Sequence, residues 1–420
     1  MTYKLVEIVM RVLYFHQYFS TPMGKTGTRS YEMAQALIRA GHEVHLVCCS
    51  DTDGKTGLTG EFVDGKRIGI VDGIQITEFE LTYSNYQSLL QRSRLFLIYA
   101  WRSMKVSLTE DYDLVFATST PLTAGLPGIA ARWLRRKRFV FEVRDLWPEL
   151  PIAMGILTNP IVKFGLSALE WISYRSAHAC IGLSPGIVEG ILARSHPTQN
   201  VSMVPNGCDL SLFADGQTLT SESASLPGVS DSDCVAIFTG AHGIANGLDA
   251  VLDAAAVLQK RDRNDIKIVF LGDGKLKPAL IKRAREEGLD NCVFLEPVEK
   301  VRMADYLRRA DLALMVLANV PAFYYGTSPN KFFDYLAMSK PVLTNYPGWL
   351  AEIVESSGAG VVVPPESAEL FADALSSLAD DRGKLVHMGK CAHELARAKF
   401  DRALLSEEFV SCIETAALRR

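Results

Sequence analysis

Strand-length apolar runs alternate with helical patterns from one end of this 420-residue chain to the other, and few architectures accept that alternation. Short β-rich runs separated by helices are the mark of βα units and parallel sheets. Two successive series are visible. The first has strand-like runs at 9–16, 43–50, 73–80, 113–119, 138–144 and 177–184, with helical patterns near 28–40, 86–108, 121–135, 159–175 and 185–194. The second has runs at 201–205, 234–240, 266–272, 292–297, 311–317, 340–345 and 359–365. Its helices fall near 247–261, 276–287, 300–309, 330–338, 349–356 and 367–379. The expected fold class is α/β, with two Rossmann-like domains facing each other across a cleft and joined near 195–200. The boundaries expected are 1–196 and 197–395, with a helical stretch at 396–420 returning to the first domain. Ligands of such sheets bind outside the carboxyl ends of the strands, so those ends are where chemistry is sought.

Charge narrows the function. The chain holds 44 Lys+Arg against 48 Asp+Glu, a net charge of −4, which is too balanced for a protein whose main task is gripping nucleic acid. Residues 1–200 carry 21 basic and 18 acidic side chains, and the remainder 23 and 30, so the front half is the better anionic-surface binder. Eight scattered cysteines without a C-x-x-C pair read as reduced residues of a cytoplasmic protein. No apolar stretch reaches the length of a membrane span, and no secretion signal is visible. Residues 1–9 read as an extension ahead of the first strand.

The most informative segment is Gly326-Thr327-Ser328-Pro329-Asn330-Lys331-Phe332-Phe333-Asp334. Ser328 and Pro329 read as an N-cap and first helical residue, aiming the N–H groups of Asn330 and Lys331 out of the helix. A helix N-terminus with a lysine in its first turn suits a diphosphate. Asp334, three residues on, could take two ribose hydroxyls, or simply pair with Lys331.

At this segment the chain resembles the family 4 retaining glycosyltransferases, whose fold is GT-B. Asp334, Ala337, Lys340, Pro341 and Val342 occupy the places of the family's second acidic residue and its Ala-x-Gly-Lys-Pro-Val-like run. VPNGCDLSLF (204–213), FTGAHGIANGLDAVLDAA (238–255), FLGDG (270–274) and FLEPV (294–298) resemble its other C-terminal motifs. Arg144-Asp145-Leu146-Trp147-Pro148-Glu149 and Ser328-Pro329-Asn330-Lys331 look like the bacterial O-antigen and capsule branch that includes N-acetyl-L-fucosamine transferases. The resemblance makes the first domain acceptor-binding and the second nucleotide-sugar-binding. It implies catalytic roles for Lys331, Arg144 and Asp145. Donor contacts are implied at Gly27, Arg29, Asn206, Gly240, His242, Gly272, Asp273, Val298, Gly326, Ser328, Pro329, Asn330 and Asp334. Gly326 stands where the family's first acidic residue contacts the donor sugar, and no Lys or Arg follows the 238–243 strand end.

The activity implied is transfer of a sugar, an N-acetylated deoxyhexose or hexosamine, from a UDP-sugar to a polyprenyl-diphosphate-linked saccharide in surface polysaccharide synthesis. No cofactor and no metal are expected. Two other classes fit the architecture: a UDP-sugar 2-epimerase, and a catalytically silent nucleotide-sugar-binding partner. Arg94, Arg102 and Lys105 share a stripe beside Trp101, and Trp133-Leu134-Arg135-Arg136-Lys137-Arg138 adds a second basic-aromatic cluster. Both suit peripheral contact with an anionic membrane at the inner face of the plasma membrane, and both equally suit a packed helix with snorkelling tips.

Overall fold

The computed structural model describes residues 9–52, 54–84, 87–196, 198–214 and 226–418. The chain divides into two compact units. One runs to Pro205 and takes back Gly326–Ser328 and the chain from Ala403, and the other holds Asn206–Tyr325 and Pro329–Arg402.

The first unit is built on eight strands: β1 (Arg11–Phe15), β2 (Glu43–Asp51), β3 (Lys66–Val71), β4 (Ile74–Tyr83), β5 (Leu114–Thr118), β6 (Arg138–Val143), β7 (Ala179–Gly182) and β8 (Asn200–Met203). Their order is β3-β4-β2-β1-β5-β6-β7-β8, with every pair parallel except β3 with β4. The chain order reverses at β1, so the crevice expected of such sheets opens beside its carboxyl end. Strand β1 is covered on both faces. Leu13 and Phe15 join one apolar cluster, while Val12 and Tyr14 join another, which the C-terminal helix Arg402–Leu418 completes with Leu405, Phe409 and Ile413.

The run at 201–205 was assigned to the second series, yet β8 pairs with β7 and closes the first sheet. Strand β3 was not anticipated, although Asp72 and Gly73, both at positive φ, are the two-residue turn that joins antiparallel partners. Residues 1–8 of the expected extension ahead of the first strand lie outside the described residues.

The second unit carries β9 (Cys234–Thr239), β10 (Ile266–Leu271), β11 (Cys292–Leu295), β12 (Leu312–Met315), β13 (Val342–Thr344) and β14 (Gly360–Val362). All are parallel, in the order β11-β10-β9-β12-β13-β14, with the reversal at β9. All eight cysteines are free.

A buried ion pair ties the first unit together. Arg29, at the start of helix Arg29–Arg39, is wholly buried and donates to Glu142 Oε2 of β6 from Nε at 3.0 Å and Nη2 at 2.7 Å. Its remaining N–H groups reach the carbonyls of Val204 and Pro205. Glu142 Oε1 accepts from Thr118 of β5 at 2.7 Å. The expectation that Arg29 contacts a donor phosphate is therefore corrected, because its donors are consumed inside the sheet.

Burial alone would raise the Glu142 carboxyl pKa, but the Arg29 and Arg144 guanidiniums and the hydrogen bonds from Arg29 and Thr118 hold it below the ordinary range. Its stabilising contribution is thus present above the ordinary carboxyl pKa and is lost as pH falls through the lowered value. Removing one partner of a buried pair leaves an uncompensated charge. Arg29→Ala is expected to cost about 3–5 kcal/mol in urea unfolding, and a loss below about 1 kcal/mol would refute this role.

Candidate functional site

In the second unit, the loops leaving β9 and β10 are pressed together. Gly240, Gly272 and Gly274 all have φ between +116° and +157°. A Cβ on Gly272 would lie 2.0 Å from the Gly240 oxygen, and one on Gly274 would lie 2.7 Å from the His242 oxygen. Only glycine fits these two positions. The backbones are joined by Gly240 N–H to Leu271 O at 2.9 Å and His242 N–H to Asp273 O at 2.9 Å.

Lys331 sits against this surface. It lies in the first turn of helix Asn330–Ala337, with its Nζ 3.9 Å from the Phe238 ring centroid and donating to Asn246 Oδ1 at 2.7 Å. Asn246 is held in turn by its own donation to Ala241 O. Among the described residues no carboxylate lies within ion-pair distance of Lys331. Burial pushes its ammonium pKa down to about 7. A half-buried cation without a counter-charge, packed against the Gly240 backbone, is electrostatically incomplete. Asn246 lies within the 238–255 motif but was not singled out as a site residue, because its partner Lys331 is 85 positions away in the chain.

Several expectations change in detail. The helix begins at Asn330, with Pro329 as the flanking residue in extended conformation and no side-chain cap, so Ser328 is not its N-cap. Asp334 does not pair with Lys331 and offers no open carboxylate, because it is buried and bonded to Lys300 Nζ. Burial raises the pKa of Asp334 and Lys300 only partly offsets this. A neighbouring buried pair, Arg402 with Asp209, extends the charged cluster. His242 is buried among Phe238, Phe270 and Phe294 at 6.0–6.4 Å between ring centroids. Burial first, then Lys277 and Lys331, push its pKa down to about 4, so it supplies no cation to a phosphate near pH 7.

Asn206 and Ser328 are buried, while Asp273, Val298 and Asn330 are half-buried. Gly326 is buried as well, yet an added Cβ there would meet nothing within 4 Å.

In the first unit, the carboxyl ends of β1, β5 and β6 bring a second group together. Arg144 Nη1 lies 3.0 Å from His16 Nε2, its backbone N–H donates to Ser119 Oγ, and its Nε stands 3.7 Å from Glu142 Oε1. Asp145 accepts from Thr120 Oγ1 at 3.3 Å. An Arg144–Asp145 or Arg144–Glu149 ion pair does not form. Burial, reinforced by Arg144, keeps His16 neutral, so its Nε2 can accept from the guanidinium. Gly27 is half-buried in the loop ahead of Arg29.

Lys331 has a titration signature. Between its lowered value and the ordinary 10.5 the unfolded chain holds a proton that the folded chain lacks. The unfolding free energy is therefore expected to rise with pH across that interval, and Lys331→Met should remove that part of the rise. Identical pH–stability slopes in the two proteins would show that the ammonium is not enclosed.

A "Glycosyl transferase 4-like domain" model matches residues 26–207, and a "Glycosyl transferases group 1" model matches 233–381. The chain is 30% identical over 206 residues to a D-inositol 3-phosphate glycosyltransferase of Kribbella flavida, covering 47% of each chain. It is 26% identical over 187 residues to an alpha-D-kanosaminyltransferase of Streptomyces kanamyceticus, covering 44% of this chain and 47% of that protein. The chain thus spans about half the length of the curated relatives it matches. Among solved structures, sucrose-phosphate synthase from Thermosynechococcus elongatus superposes with a TM-score of 0.72 at 16% identity, covering 96% of this chain and 98% of that one. Anabaena HepE in complex with UDP-glucose gives 0.65 at 16% identity, covering 97% and 100%. The chain carries a glycosyl transferase 4-like domain followed by a group 1 glycosyl transferase domain, in the two-domain α/β layout of GT-B glycosyltransferases.

Proposed function

We propose that this protein is a metal-independent retaining glycosyltransferase that moves an N-acetylated deoxyhexose or hexosamine from a UDP-sugar to a polyprenyl-diphosphate-linked saccharide. The observation that carries the reading is Lys331, a half-buried lysine in the first turn of a helix whose ammonium has no carboxylate partner among the described residues. A diphosphate supplies the missing counter-charge, and the N–H groups at the helix start add neutral donors. Binding the anion raises the Lys331 pKa again, so the charged form is restored where it is needed.

In the chemistry proposed, the bond from the anomeric carbon to the diphosphate oxygen breaks while the acceptor oxygen bonds to the same face of that carbon. The leaving diphosphate takes the acceptor proton. No protein nucleophile is required, and Lys331 stabilises the charge that grows on the departing oxygens. The first unit is read as the acceptor side, with Arg144 held by His16 and Glu142 at the strand ends. The open space around Gly326, where the resembling family has a carboxylate, leaves room for a bulkier N-acetyl substituent. This supports placement in the O-antigen and capsule branch. Among the described residues, no three His, Cys, Asp or Glu side chains converge as metal ligands.

We place the enzyme at the cytoplasmic face of the plasma membrane as a peripheral protein. No helix of the described residues is long and apolar enough to cross a membrane. In the first unit, Leu97, Trp101, Trp133 and Leu134 are exposed, and so are Ile161, Phe164 and Trp171 on helix Pro160–Ser176, a surface the sequence reading did not single out. Lys105 and Arg175 lie over the Trp101 and Trp171 rings. Arg102 contributes less than its stripe implies, since it donates to Gly65 O at 2.9 Å and covers Phe79. Arg135 and Lys137 likewise donate to backbone carbonyls. Aromatic and aliphatic groups with basic neighbours suit a bilayer interface.

The test is melting temperature against UDP, GDP, ADP and CMP, with and without EDTA. A UDP-selective rise that survives EDTA and vanishes in Lys331→Ala is expected, worth about 2.7 kcal/mol at a hundredfold excess over Kd. No rise with any nucleotide would overturn the donor site. With donor and acceptor present, Lys331→Ala should lower kcat by about 10²–10³. Phe164→Ser with Trp171→Ser is expected to release the protein from phosphatidylglycerol vesicles, and unchanged sedimentation would remove the membrane assignment.

A further inference from the structure

A cavity of about 650 Å³ opens in the second unit at the amino-terminal ends of β12 and β13, the opposite end of the strands from Lys331. Its walls are helix Arg382–Lys399, the end of helix Lys300–Arg309, and the turn Ser339–Pro341 that joins the Lys331 helix to β13. Six cations line it, Arg308, Arg309, Lys340, Arg382, Lys390 and Arg397, against the two acids Asp311 and Glu394. This concentration occurs in the half of the chain that carries the acidic excess. Its size is that of a small-molecule site.

The cations divide into two sets. Arg308 pairs with Asp305 at 2.7 Å, Arg309 with Asp231 at 3.0 Å and Arg382 with Asp311 at 2.5 Å, while Lys340 donates to Ala310 O at 2.7 Å. These four form a fixed floor. Lys390 and Arg397 have no carboxylate within ion-pair distance among the described residues, and both are exposed. They stand seven residues apart on one face of helix Arg382–Lys399, with His393 between them. The Nδ1 of His393 is buried without a hydrogen-bond partner. Two exposed cations on one cavity wall, with the four beneath them, suit an acceptor with several oxygens. Guanidinium groups meet phosphate oxygens in matching geometry, and ammonium groups meet them as point charges.

We infer that this cavity is a second anion site, which takes a small soluble phosphoanion of the diphosphate class and is separate from the Lys331 site. Glu394 opposes a fully charged occupant on the same helix face, so an ester of phosphate or diphosphate, carrying an uncharged portion toward Glu394, Leu385 and Val386, suits the lining better than a bare ion.

The experiment is calorimetric titration of the full-length chain with inorganic pyrophosphate, the minimal form of that chemistry. Lys331→Ala is expected to keep one saturable equivalent, and adding Lys390→Glu and Arg397→Glu should weaken it by about tenfold or more. Both side chains are exposed, so the melting temperature of the reversal variant should match the parent. If the Lys331 reading fails, wild type simply binds one equivalent and the reversal alone removes it. Retention of that equivalent in the reversal variant would overturn the inference. A lipid headgroup as the source of the phosphate is tested with phosphatidylglycerol vesicles. Binding to them should be insensitive to the reversal, and loss of vesicle binding with unchanged pyrophosphate binding would overturn the soluble class in favour of a membrane.

Discussion

The first unit depends on a buried charge that has been fully compensated. Arg29 and Glu142 join the first long helix to the middle of the sheet, and the same guanidinium holds Val204 and Pro205, where the chain leaves β8. A pair so enclosed adds little net stability over an apolar substitute, but losing either member is expensive, so it acts as a constraint on arrangement. It also sets the charge environment of Arg144, whose nearest acid is the same Glu142. Position in the sheet thus decides which arginine is structural and which stands at the strand ends facing His16.

The second unit does the opposite with Lys331. Its charge is enclosed, but no acid is provided, and burial lowers its proton affinity to the point where it titrates near neutrality. The close approach of the β9 and β10 loops, possible only with glycine at 272 and 274, brings bare backbone beside that amine. Leaving a cation uncompensated costs stability, and an arrangement of this kind is retained where a ligand completes it. Asp334, by contrast, is matched inside the protein by Lys300. Two charged residues three apart on one short helix therefore have different tasks.

Much of this was legible in the residues. The βα alternation and the apolar runs of β1, β5, β9 and β10 identified the fold class, and the segments at 240, 272 and 331 are ones the structure brings together. Register was less legible. β8 is a four-residue strand only half-buried, and nothing in its pattern says which of two sheets it will join. The β3–β4 hairpin carried its Asp-Gly turn in plain view, but the flanking runs alternate polar and apolar residues and do not stand out against longer apolar strands.

The sequence by itself determined that the chain forms two largely parallel α/β sheets with a helix N-terminus bearing Lys331, because hydrophobic period, glycine placement and helix signals act over a few residues. Only the tertiary structure decided the fate of each charge. Arg29 met Glu142 across 113 positions, Lys300 met Asp334 across 34, and Lys390 and Arg397 met no acid among the described residues. Electrostatic pairing depends on distance in space and on burial, and neither is encoded in the local spacing of residues.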